Sequence, residues 1–122
     1  MVVQRRSISH AEIAVLRAAF EHAATRSISG AQIAAIEGLR VVSRCDCGCD
    51  SVQFEVPDGT GHGDPIADGV ASTSAGGRVG VLVFGTDQVI SALEIYDLGA
   101  GEDGLRLPEP DSIRSWRDAG AA

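Results

Sequence analysis

The chain contains no lysine and no asparagine, one tyrosine and one tryptophan beside three phenylalanines, and no apolar run of bilayer length. Each absence closes off a class of protein. A membrane-spanning helix needs roughly 20 consecutive apolar residues, and the longest runs here, such as Val79 to Phe84, stop far short of that. The N-terminal stretch MVVQRRSISH is charged, but Ser9, His10 and Glu12 interrupt the apolar segment that a signal peptide would place next. These features predict a soluble cytoplasmic protein with no membrane partner. Positive charge comes from arginine alone and the net charge is −7, so no basic stripe is available to meet a phosphate backbone, and nucleic acid is not expected as a partner. Lysine and asparagine have AT-rich codons, while alanine, glycine, arginine and valine abound, so the composition reads as GC-rich coding in a high-GC bacterium.

At 122 residues the chain is long enough for a single domain, 1–122, that buries roughly two thirds of its unfolded surface. A near-repeat opens it: RSISHAEIAVL from Arg6 recurs as RSISGAQIAAI from Arg26. In both copies a serine is followed three residues later by Glu or Gln, the spacing of a capping box: Ser9 with Glu12, and Ser29 with Gln32. Ile13, Leu16, Phe20 and Ala23 then recur at helical spacing, which predicts a first helix running to about Thr25. The second helix carries Ile33 and Ile36 and stops near Gly38.

From Leu39 the period becomes two. Leu39, Val41, Ser43 and Cys45 alternate with Arg40, Val42 and Arg44, and Val52, Phe54 and Val56 alternate with Gln53 and Glu55, so these runs read as a hairpin joined through RCDCGCD. The glycine-rich stretch from Pro57 to Gly77 allows a short edge strand around Ile66 to Ser72. VGVLVFG and QVISALEIYDL, joined by Thr86 and Asp87, read as a second hairpin whose first strand lies in the core. Pro108 and Pro110 hold the tail extended, and Asp111 or Ser112 then caps a short helix whose Trp116 packs back. The expected fold is α+β. Two N-terminal helices (helical part 9–38) pack on a four- or five-stranded antiparallel meander (39–98), followed by an extended tail and short helix (105–118).

CDCGCDSVQFEV, GVLVFGTDQVISALEIYDL and LPEPDSI, together spanning Arg44 to Ile113, resemble a family of small bacterial proteins of unknown function. That family has a Cys-Gly-Cys turn, a Leu-Glu-Ile-Tyr strand and a Leu-Pro-x-Pro tail, matched here by Cys47, Gly48 and Cys49 and by Leu93, Glu94, Ile95 and Tyr96. The resemblance implies no activity.

The three cysteines, Cys45, Cys47 and Cys49, are the residues with most chemistry to offer. On a regular strand, alternate residues share a face, and free cysteine is among the most buried residue types, so the first reading is three small side chains in a core. The second is a metal site. Zinc takes about four ligands, Gly48 permits the tight backbone needed for thiolates to converge, and His62 in GTGHGD is the nearest candidate for a fourth. The third, a redox pair of Cys47 and Cys49, lacks a helix start after it to lower a thiol pKa.

GTGHGD is followed by Asp64 and Pro65 rather than a helix N-terminus, so it does not read as a phosphate loop. Glu94 and Asp97 lie three apart on a strand and therefore point to opposite faces, and neither His10, His22 nor His62 neighbours a nucleophile. Catalysis is not expected. The leading reading is a non-catalytic module without a cofactor, monomer or homodimer, that binds a protein or small ligand through the sheet face around Tyr96 or the glycine-rich loop. The alternative is a zinc-binding protein using Cys45, Cys47 and Cys49 with His62 or an external ligand.

Overall fold

The computed structural model describes residues 2–26 and 28–120. Its centre is one antiparallel sheet of seven strands: β1 (Val2–Ser7), β2 (Ala24–Thr25), β3 (Arg40–Arg44), β4 (Val52–Phe54), β5 (Asp64–Ser72), β6 (Arg78–Thr86) and β7 (Val89–Asp97). Their spatial order, β1-β3-β4-β7-β6-β5-β2, is not a meander. Three short helices, α1 (His10–His22), α2 (Gly30–Ala35) and α3 (Trp116–Gly120), accompany the sheet among the described residues.

This corrects the expected fold of two helices on a four- or five-stranded meander: the protein is dominated by its sheet. Two additions escape an analysis of periodicity because neither strand has a buried stripe of its own. β1 exists by pairing with β3, and its Val3 is 74% exposed. β2 is two residues long and pairs with Ala67 and Asp68, so the chain is already extended at Thr25, where helix was expected. The supposed short edge strand is nine residues long and is hydrogen-bonded along β6, with β2 and an Arg114 bridge covering its other side. The second helix is also shorter than expected, one α segment of six residues closed by a 3₁₀ turn, Ile36–Gly38.

Other expectations hold. Both capping boxes form: Ser9 Oγ accepts the Glu12 N–H at 3.1 Å while Glu12 Oε1 accepts the Ser9 N–H at 2.9 Å, and Ser29 and Gln32 repeat the pattern at 3.1 and 2.7 Å. β3 with β4 and β6 with β7 are antiparallel pairs, as two hairpins require.

One face of the sheet carries the core. Val79, Val81 and Val83 of β6 and Leu93 and Ile95 of β7 alternate inward, where they meet Val15, Leu16 and Ala19 of α1 and Ile36 behind α2. The tail closes this layer. Leu105 and Leu107 pack on the core, the Ser112 hydroxyl bonds the backbone of Ser72, Ile113 is fully buried, and Arg114 bridges Val70. Ser115, rather than Asp111 or Ser112, caps α3, accepting the Asp118 N–H at 3.2 Å. Trp116 remains 46% exposed, and its indole N–H reaches the sheet, where Asp68 accepts it at 3.0 Å.

Candidate metal centre

β3 ends at Arg44 and β4 begins at Val52, so all three cysteines lie in the connecting turn rather than on a strand. The inward alternation of Val41 and Ser43 ends with the strand at Arg44, so it does not carry Cys45 into the core. Cys47 is exposed and Cys45 and Cys49 are half-buried, so the reading of three core thiols is overturned. What brings the sulfurs together is the turn itself: Gly48 sits at φ +89°, a conformation that side-chain-bearing residues rarely adopt, and the Cys45 N–H closes the loop on the Ser51 carbonyl at 3.2 Å.

All three are free thiols, and their Sγ atoms lie within 4.8 Å of one another, with Cys45 and Cys47 2.7 Å apart. Thiolates around a tetrahedral zinc at Zn–S of about 2.3 Å stand about 3.8 Å apart. One pair stands closer than that value and no pair is farther apart than 4.8 Å, so the three sulfurs lie on the scale of a single coordination sphere. The backbone also faces the sulfurs. The Cys47 N–H points at Cys45 Sγ at 3.5 Å and the Cys49 N–H at Cys47 Sγ at 3.4 Å, and donors aimed at sulfur favour its charged form.

The protons are unevenly held. Hydrogen bonding with the Cys45 thiol, and next with Cys49, favours the protonated form of Cys47 and pushes it up to about 11. Burial works against ionisation of Cys49, but the Ser51 hydroxyl and the neighbouring thiols outweigh it and hold Cys49 below the ordinary thiol range. Cys49 thus ionises ahead of Cys47.

The turn is pinned from outside. Ser51 Oγ accepts the Ile95 N–H at 2.8 Å, tying the end of the loop to β7. Asp50 donates its N–H to the Leu105 carbonyl at 2.8 Å and accepts the Leu107 N–H on Oδ2 at 2.7 Å, while the Arg106 guanidinium donates to the Gly48 carbonyl at 3.1 Å. Donors held on such a frame lose little entropy when they bind.

Beside the thiols opens a cleft of about 410 Å³ lined by all three cysteines, Ser51, Glu94, Tyr96 and His62. The structure brings His62 to the same cleft but not into the thiol group. Its ring lies against Phe84 with centroids 4.6 Å apart and planes tilted by 43°, and its carbonyl accepts the Ser91 hydroxyl. Gly63 makes that approach feasible, since a Cβ there would stand 2.1 Å from the Gly85 carbonyl oxygen.

Glu94 is exposed on the sheet face that lines the cleft, and among the described residues no arginine pairs with it. Asp97 is a turn residue: its Oδ1 accepts the Ala100 and Gly99 N–H groups at 2.9 and 2.8 Å, which hold the carboxyl below its usual range. Tyr96, expected to be a contact residue, lies half-buried over Gly80 and donates to Asp68 at 3.1 Å; burial and the Asp68 charge push it up to about 12. Sequence reasoning missed Ser51, Asp50 and Arg106 as supports of the loop, because each acts on a partner more than 40 residues away.

No family model, no curated protein and no solved structure matches the chain. Function therefore rests on the geometry of the site. No helix among the described residues is long and apolar enough to cross a membrane.

Proposed function

We propose that this is a metal-binding protein that holds a soft d10 ion such as zinc on the thiolates of Cys45, Cys47 and Cys49. One observation carries the reading: three thiol sulfurs within 4.8 Å of one another on a turn fixed by bonds to β7 and to the tail. Sulfur ligands suit this class of ion, and an ion binding three cysteines displaces their protons. The cleft leaves room beside the ion for a further ligand, from His62 or from outside the chain. The role is binding rather than catalysis.

Elemental analysis of the untagged, reduced protein tests it. About one equivalent of metal per chain is expected, falling at least tenfold in affinity in Cys45→Ser and Cys49→Ser variants. Metal-free protein that takes up neither zinc nor any other thiophilic d10 ion on titration, or serine variants that bind as well as the parent, would overturn it.

A further inference from the structure

The donors around the thiols distinguish among soft ions. Among the described residues no histidine, aspartate or glutamate joins the three Sγ atoms. The His62 ring lies tilted against Phe84 in the same cleft, outside the thiol group. Asp50, inside the turn, has Oδ2 on the Leu107 N–H at 2.7 Å and Oδ1 facing Arg106 at 3.5 Å. Structural zinc is almost always four-coordinate. A monovalent d10 ion is satisfied by three sulfurs; thiolates suit copper(I) as well as zinc, so the missing fourth donor is what separates the two.

Charge does not oppose this. Three thiolates around a monovalent ion leave a net charge of −2, one unit more than around zinc, and Asp46 and Asp50 lie in the same loop; against them stand donors of the loop and the tail. Two backbone N–H groups face the sulfurs, and the guanidinium groups of Arg44 and Arg106 donate to the carbonyls of Cys45 and Gly48 at 3.5 and 3.1 Å. Exposure of Cys47 leaves the ion reachable from solvent, as exchange with a donor or acceptor molecule requires.

Resting on the metal-binding reading above, we propose that the site takes copper(I) as exchangeable, three-coordinate cargo, held by Cys45, Cys47 and Cys49 with no fourth ligand from the described residues. The ion enters and leaves as copper(I), so no electron is transferred.

X-ray absorption on the full, reduced chain loaded anaerobically with one equivalent of copper(I) tests this, alongside competition against a copper(I) chelator. The expected spectrum has three sulfur neighbours and no nitrogen or oxygen. His62→Ala should leave copper affinity within about twofold, and Cys47→Ser, whose side chain is outside the core, should lower it about 100-fold or more. An imidazole nitrogen in the spectrum, two-sulfur coordination, or zinc that one equivalent of copper(I) fails to displace overturns the proposal while leaving the metal-binding reading intact. Protein that binds neither ion overturns both.

Discussion

The two hairpins of the sheet reach stability by opposite routes. β6 and β7 are nine residues each, joined by Asp87 and Gln88 alone, and paired from Val79 with Asp97 to Thr86 with Val89. Their apolar residues specify them locally, because alternate valines, Leu93 and Ile95 have only one face on which to be buried. β3 and β4 are five and three residues long, and the turn between them is longer than β4 itself. That hairpin is held by Ser51 on β7 and by Asp50 and Arg106 on the tail. The stiff hairpin carries the core, and the hairpin braced from outside carries the chemistry. A loop with no side chain committed to the core is free to turn its thiols to solvent.

Substitutions can break this contrast. The largest effect is expected from Leu93→Ala, which empties a fully buried position in β7 and should cost about 2–5 kcal/mol in denaturant unfolding. If instead the loss is below about 1 kcal/mol, the β6–β7 pair is not the stability centre claimed here. Next comes Gly80→Ala. A Cβ there would meet the Tyr96 ring at about 2 Å, so the ring must leave Asp68, at a cost of about 2–3 kcal/mol. Tyr96, raised to about 12 in the parent, should then titrate closer to 10, followed by its ultraviolet absorbance.

On the cysteine side, Glu12 is only 3% exposed, and the Arg6 guanidinium meets both its oxygens at 2.8 Å, joining β1 to α1. Burial pushes its carboxyl up, but Arg6 and the Ser9 cap outweigh burial and hold it below the ordinary value of 4.5. A lowered folded pKa gives stability that is present above the unfolded value and is lost as pH falls through the folded one. Acidification below about pH 4.5 should therefore loosen this side first in hydrogen exchange. Glu12→Gln should remove that sensitivity and cost about 1.5–3 kcal/mol at neutral pH. A variant that keeps the parent's acid profile would place its origin elsewhere.

The smallest stability change is expected from Ser51→Ala, about 1–2 kcal/mol for an Ile95 N–H left without its acceptor. Its sharper signature is weaker metal binding with β6–β7 exchange protection unchanged. Parent-like metal affinity would show that the brace does not position the thiols.

Much of this architecture was legible in the residues. Ser9 with Glu12 and Ser29 with Gln32 announce two helix starts, and the valines of β6 announce a core strand, because capping and alternation act within a few residues. The same logic failed at Cys45: the alternation of Val41 and Ser43 points on to the cysteine, but the chain leaves the strand after Arg44. β1 and β2 were illegible for a related reason, since a strand created by its neighbour's hydrogen bonds needs no apolar pattern of its own.

By itself, the sequence determined the local elements: two capped helix starts, two hairpins, a proline-bounded tail and three cysteines at alternate positions around a glycine. Tertiary structure alone decided the strand order, the exposure of the thiols and the role of the tail in pinning their loop. The physical reason is range. Caps and pleats are settled by neighbours along the chain, whereas Ser51 reaches Ile95 and Asp50 reaches Leu107 only after the sheet has assembled.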